Sequence, residues 1–439
     1  MAASITELAH HAERLWRLLR RHPVVEALAT AAGATPAHLV GGLLRDRLLG
    51  LPSRDFDAVV AGRGREIAGA AADALGATLV LLGGKEFAAF RVVGGDGWVL
   101  DLWDRETMPL EADLARRDFT VDSFAMALAD GRLIDPFGGL ADLARRVLRA
   151  TTPASFTGDP LRVLRLPRLL AKLPGFAAEP ETLGLARAAA PGLAAVAAER
   201  VREELVLIFK SDEAARALAI LAALEVYPGL WLGRPGSAGD GAGAVAELAA
   251  LDGAVRELAA VDRAAARAVD PLVARLAATF AHLPAAAAEP AVRESAAGDP
   301  VARFAAAGYL TGRVAERVRR VLAEPELPAG ETSGRRFLHR LGALWPTAAA
   351  RLAAAPVPRD PARLRPRLAA LAALAARDGG QIFDPPRLLG GEEVQELLGV
   401  GPGPRVGAAL AAVRAAQVDG RVRTREQALA LLTSRSTSD

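Results

Sequence analysis

The 439-residue sequence predicts an α+β N-terminal domain, a mixed sheet with helices, followed by an all-α remainder. Three observations predict it. Short apolar runs alternate with helix-period segments up to about residue 150. Beyond residue 160 strand signals nearly vanish, and Ala/Leu/Arg patterns at helical spacing run to the end. Stretches rich in Gly, Ala or Pro at Gly233–Gly243, Pro284–Pro300 and Pro356–Pro366 punctuate that helical part as linkers.

The elements follow in order. Residues 5–32 read as one or two helices, with Leu8, Leu15, Leu18 and Leu19 at helical spacing. Ala37–Val40 is a short strand entering a Gly41-Gly42 turn, and Leu43–Leu49 is a helix. Phe56–Val60 is strand-like and Arg65–Leu75 helical; Thr78–Leu82, Ala88–Val93 and Trp98–Trp103 are further strands. Asp159 caps a helix whose first turn takes Pro160, and Pro167 is expected to kink it. The expected divisions are a helical segment 1–32, an α+β domain 33–150, and helical segments 151–230, 231–380 and 381–439.

Composition excludes some classes. There is no cysteine, hence no disulfide and no cysteine-ligated zinc. No basic segment followed by an apolar one opens the chain, and no run of about 18 uncharged apolar residues occurs. The expected location is the cytoplasm, with no membrane partner. The formal net charge is +3, and nearly all the base is arginine; lysine occurs only at Lys85, Lys172 and Lys210. Such a balance permits nucleic-acid binding without establishing it.

The chemistry-bearing residues cluster in the first 170 positions. Gly41 and Gly42 lie between a strand and a helix, where a backbone without side chains can approach phosphates closely. Arg45, one turn on, can reach a phosphate with its guanidinium. Asp55 and Asp57 are two apart on a strand and point to one face. Two carboxylates there repel unless a cation lies between them, and the pair suits Mg2+. Asp101, flanked by apolar residues in Trp98–Trp103, is a candidate third carboxylate facing them. The set points to two-metal phosphoryl transfer, with one ion lowering the pKa of an RNA 3′-hydroxyl and the other steadying a triphosphate. None of the six histidines (10, 11, 22, 38, 282 and 339) sits at metal-ligand spacing.

Asp159, Arg162, Arg165 and Arg168 step by three and form one stripe on a helix. An acceptor beside donors matches the pairing edges of both cytosine and adenine. Uracil and guanine would leave buried polar groups unpaired, at about 1–3 kcal/mol each. Arg116 and Arg117 can hold phosphate, and Asp118 can accept from a ribose hydroxyl.

These residues fall in ordered motifs: Gly41-Gly-Leu-Leu-Arg-Asp with Asp55-Phe-Asp57, Arg116-Arg-Asp-Phe-Thr-Val121, Leu133-Ile-Asp-Pro-Phe-Gly-Gly-Leu140, Asp159-Pro-Leu-Arg-Val-Leu-Arg165 and Ala198-Glu-Arg-Val-Arg-Glu-Glu-Leu205. The set resembles that of bacterial class II tRNA nucleotidyltransferases and poly(A) polymerases, of the polymerase β superfamily. The C-terminal Leu389-Gly-Gly and Gly401-Pro-Gly-Pro-Arg-Val-Gly407 resemble the tail of many such enzymes. The resemblance implies a head, neck, body and tail. It implies Mg2+ on Asp55 and Asp57, with Gly42, Arg45, Arg117, Asp159, Arg162, Arg165 and Arg168 on the nucleotide. Its implied partners are CTP, ATP and the acceptor stem of tRNA, clasped by the helical part.

The sequence departs from that family in several places. Asp122-Ser123 stands where Asn-Ala is usual, Gly158 where Glu is frequent, and Pro167 within the arginine stripe. His282 has no Asp after it, so the phosphohydrolase of some relatives should be absent. Only eleven residues separate Asp101 from Asp113. Many CCA-adding relatives have a longer loop there, which motivates a partial adder. A poly(A) polymerase, a catalytically silent RNA-binding homologue and a small-molecule nucleotidyltransferase are the alternatives.

Overall fold

The computed structural model describes residues 5–82, 89–224, 226, 241–282, 299–355 and 361–436. It divides into two compact units, Met1–Ala197 with Leu224–Val226, and Ala198–Ala223 with Tyr227–Asp439. The division falls inside the segment 151–230 of the sequence-based scheme.

The first unit begins with helices α1 (Ile5–Leu19) and α2 (Pro23–Ala32). Then come β1 (Ala37–Val40), α3 (Gly42–Leu48), β2 (Asp55–Val60), α4 (Gly64–Leu75), β3 (Thr78–Leu82), β4 (Ala89–Val93) and β5 (Val99–Asp104). After α5 (Leu110–Ala115) the strands β6 (Ala125–Ala127) and β7 (Leu133–Ile134) complete a seven-stranded mixed sheet of order β3-β4-β5-β2-β1-β6-β7. Only β2 and β5 pair in parallel; the other neighbours are antiparallel. β6 and β7 escape a periodicity argument because three and two residues are too short to show an alternation.

Alternation in β2 sets up the site. Phe56 and Ala58 are buried, while Asp55 and Asp57 lie on the other face. Val40 and Val59 pack with Leu114 and Ala125 in a small apolar cluster. Helices α2 and α4 pack against each other, burying Val24, Val25, Leu28, Ile67, Ala68 and Ala71. Each of the larger of these side chains stabilises by about 1.5–3 kcal/mol. On α1 the buried stripe is Leu8, Ala12, Leu15 and Leu19. Leu18, expected at helical spacing with them, is 71% exposed, because the i, i+4, i+7, i+11 steps of the stripe leave it about 100° away.

The first unit closes with α6 (Gly139–Arg145), a two-residue strand pair (Val147–Leu148 with Ala177–Ala178), α7 (Ser155–Gly158) and α8 (Arg162–Lys172). Asp159 is extended, and its carboxylate accepts from Leu161 N at 3.3 Å, so the cap acts just ahead of α8. The helix runs on through Pro167 to Lys172.

The second unit is helical throughout its described residues. The expected linkers lie largely outside the described residues, and their described ends belong to the helices Gly241–Val261, Pro300–Ala306 and Pro361–Phe383. The last three helices, Gly391–Leu398, Pro404–Val418 and Arg425–Ser436, share a core of Leu389, Val394, Val406, Val413, Ala416, Ala428 and Leu432. The Gly401-Pro-Gly-Pro404 turn opens onto the second of them. Among the described residues no helix is long and apolar enough to cross a membrane.

Candidate active site

Three strands bring the first group together. Asp57 in β2 stands opposite Val40 of β1 and beside Asp101 of β5. The residue after Val40 is Gly41, with φ of 75°. A Cβ there would lie 2.9 Å from Asp57 Oδ2 and 3.0 Å from Arg117 Nη1. Gly41, Asp57 and Arg117 therefore converge on one point, and only glycine fits. Burial pushes the Asp57 carboxyl up to about 6, opposed by Arg117 and reinforced by Asp101, Asp122 and Asp55.

Asp101 lies next to Asp57 as the sequence suggests, but it is engaged. Arg91, its partner across β4 and β5, donates from Nε and Nη2 to its two oxygens, each at 2.7 Å. Among the described residues no three metal-ligating side chains gather. What the donor set fits is a hard cation held by the Asp55 and Asp57 carboxylates and completed by substrate phosphates. The placing of Asp55 and Asp57 on one face of β2, with Asp57 beside Asp101, is the observation behind that fit. Arg91 was missed in the sequence, since only the strand register reveals it.

Arg45, expected to reach a phosphate, is buried and already engaged. It is 4% exposed, and its Nη1 donates to both Asp122 oxygens at 2.6 and 2.7 Å. Its Nε donates to Asp46 Oδ1 at 2.9 Å, and Asp46 Oδ2 accepts from Lys172 Nζ of α8 at 2.8 Å. The guanidinium still lies under the turn, since a Cβ at Gly42 would be 3.1 Å from Arg45 Nη2. The extra carboxylate at 122 thus does not face solvent near the phosphate turn; it answers Arg45. Burial pushes the Asp122 carboxyl up, against the pull of Arg45.

On α8, Arg162, Arg165 and Arg168 are half-buried on one face while the intervening residues are buried. Asp159, half-buried too, precedes them. Arg165 Nε donates to Asp118 Oδ2 at 2.5 Å. Burial raises the Asp118 carboxyl, but Arg165 and Arg162 outweigh it and hold it below the ordinary range. Asp118 is 5% exposed, so in this structure it is the counter-charge of Arg165 rather than an open acceptor for a ribose. Arg162 donates to the carbonyls of Ser155, at 2.8 Å, and Arg116. Arg117 Nη2 lies 3.6 Å from Asp113 Oδ2. Ion pairs thus tie α8 both to α3, through Lys172 and Asp46, and to the 116–121 motif, through Arg165 and Asp118.

The chain is similar to known proteins. A family profile described as the poly A polymerase head domain matches residues 37–149, and one described as a probable RNA and SrmB-binding site of polymerase A matches 175–231. The chain is 33% identical over 428 residues to a CC-adding tRNA nucleotidyltransferase of Geobacter sulfurreducens, covering 92% of this chain and 94% of that one. It is 33% identical over 458 residues to an A-adding tRNA nucleotidyltransferase of Deinococcus radiodurans, covering 94% and 98%. A solved CCA-adding enzyme in complex with CTP shares the fold, with a TM-score of 0.68, 20% identity, and 99% and 98% of the two chains covered. The chain belongs to the bacterial tRNA nucleotidyltransferase and poly(A) polymerase family.

Proposed function

We propose that this protein is a template-independent RNA nucleotidyltransferase that adds C, A or both from CTP and ATP to the 3′ end of tRNA, releasing pyrophosphate. The observation that carries this reading is the convergence of Gly41, Asp57 and Arg117, in a chain of that family. Asp55 and Asp57 are the residues that would hold Mg2+. When bound, the ions supply a lowered pKa at the 3′-hydroxyl and charge neutralisation at the triphosphate.

The chain's own residues do the rest. The open backbone of Gly41 and Gly42 lets phosphates approach, and Arg117 donates to them beside Asp57. Arg91 keeps Asp101 oriented next to Asp57. Asp159, Arg162, Arg165 and Arg168 present an acceptor beside donors to the C and A edges, with Asp118 holding Arg165 in place. The half-buried arginines of that stripe are positioned before a base arrives.

A partial adder is the finer reading. β5 joins α5 through Arg105–Pro109 alone. The Asp104 carboxylate fastens that turn, accepting from Gly62 N at 2.7 Å, Gly64 N at 2.8 Å and Glu106 N at 2.8 Å. Such a short, tied connection supports a site without a loop to switch from C to A. The named relatives also divide between CC and A addition. The test is incubation with tRNAs ending before, within and just short of CCA, with CTP and ATP, and sequencing of the products. Addition of CC only, or A only, supports the partial adder, and a full CCA product contradicts it. Long A tails on a non-tRNA primer would favour a poly(A) polymerase instead.

A further inference from the structure

Arg14, Arg17, Arg20 and Arg21 surround the exposed Leu18 and line one shallow cleft at the end of α1. All four are exposed, and among the described residues none of their guanidiniums has an acidic partner. Several other exposed arginines are paired, as Arg336 is with Asp419, Arg365 with Glu257 and Arg425 with Glu393. No acid interrupts residues 14–21. Four positive charges thus fall within eight residues.

The surface is built on a fixed base. Leu8, Ala12, Leu15 and Leu19 bury the opposite face of α1. Trp16 lies against Gly131, whose φ is 76° and whose absent Cβ would fall 2.1 Å from Trp16 Cδ1. The helix therefore presents its guanidiniums at set spacings over about 10 Å. The patch also adjoins strand β2. His22, next after Arg21, packs at a tilt on Phe56 with centroids 4.7 Å apart, on the face of β2 opposite Asp55 and Asp57.

We infer that the Arg14–Arg21 surface is a second contact for the RNA substrate, binding its phosphate backbone independently of sequence. Unpartnered guanidiniums fit phosphate. A membrane fits less well, since the apolar stripe Leu8, Ala12, Leu15 and Leu19 of α1 is buried in the unit and Leu18 is the one exposed large apolar side chain among residues 14–21. The inference rests on the RNA reading above.

The test is the triple substitution Arg17→Ala, Arg20→Ala, Arg21→Ala in the full chain, with the matching Arg→Lys triple as control. Affinity for tRNA is measured across KCl concentrations, alongside steady-state incorporation and melting temperature. The alanine triple should weaken tRNA binding about 10–100-fold at low salt and flatten the log–log salt slope by roughly 2. The KM for CTP and kcat at saturating tRNA should not move, and the lysine triple should keep the slope. Unchanged tRNA affinity and slope in the folded alanine triple overturn the inference. Loss of binding to anionic phospholipid vesicles with RNA binding intact also overturns it. A wild type that incorporates nothing, yet binds tRNA through this patch, contradicts the proposed activity and leaves the patch standing.

Discussion

Arg45 of α3 and Asp122, 77 residues apart in sequence, form a buried ion pair directly beneath the Gly41-Gly42 turn. The pair cancels a positive charge where a triphosphate would be held. Asp122→Asn keeps the shape and an acceptor oxygen but removes the charge. Its expected result is a KM for CTP or ATP lowered by about 3–10-fold, an energy of roughly 1 kcal/mol, with kcat little changed in steady-state assays. Asp122→Ala instead leaves Arg45 buried beside a hole. It should cost about 3–5 kcal/mol of stability in denaturant titrations. A raised KM in a well-folded Asp122→Asn variant contradicts the counter-charge role.

Gly41→Ala separates contact from strain. The left-handed backbone alone costs about 1–2 kcal/mol with a side chain. The added Cβ also meets Asp57 and Arg117. Incorporation should fall by about 100-fold, the effect of displacing a site by roughly 1 Å. Gly50 has the same φ of 75° with nothing near its Cβ position. Gly50→Ala should therefore show a similar loss in melting temperature and near-normal incorporation.

The Asp57 carboxyl gives a pH dependence. Its value of about 6 lies above the ordinary 3.8, so the fold disfavours the charged form. Without divalent cation the wild type carries that penalty above pH 6, at most about 3 kcal/mol. The penalty fades as pH falls from 6 and is gone below 3.8, where folded and unfolded forms are both protonated. In EDTA, Asp57→Asn should melt higher than the wild type near pH 8 and level with it near pH 3.5. Adding Mg2+ near pH 8 should stabilise the wild type and not the variant. A variant less stable than the wild type in EDTA near pH 8 contradicts this.

Much of the head was legible because its signals are local. The strand, Gly-Gly turn and helix at 37–48 and the Asp55/Asp57 face follow from periodicity and glycine chemistry over a dozen residues. The arginine stripe of α8 followed from three-residue spacing. What stayed hidden depends on tertiary partners. Nothing in the strand around Asp101 names Arg91, because the pairing exists only once β4 and β5 are in register. The burial of Arg45 needs Asp122 and Asp46, and that of Asp118 needs Arg165. Sequence spacing picked out residues that the fold brings near one another, while which charges are already neutralised required the fold.

The most direct test of the central claim uses the doubly substituted Asp55→Ala, Asp57→Ala protein beside the wild type. Both are given tRNA lacking its 3′ end, with CTP, ATP and Mg2+, and the product ends are sequenced while tRNA binding is measured separately. The account predicts C or A incorporation by the wild type, none by the variant, and comparable tRNA affinity in both. Incorporation that persists in the variant, or a wild type that extends no RNA, would contradict it.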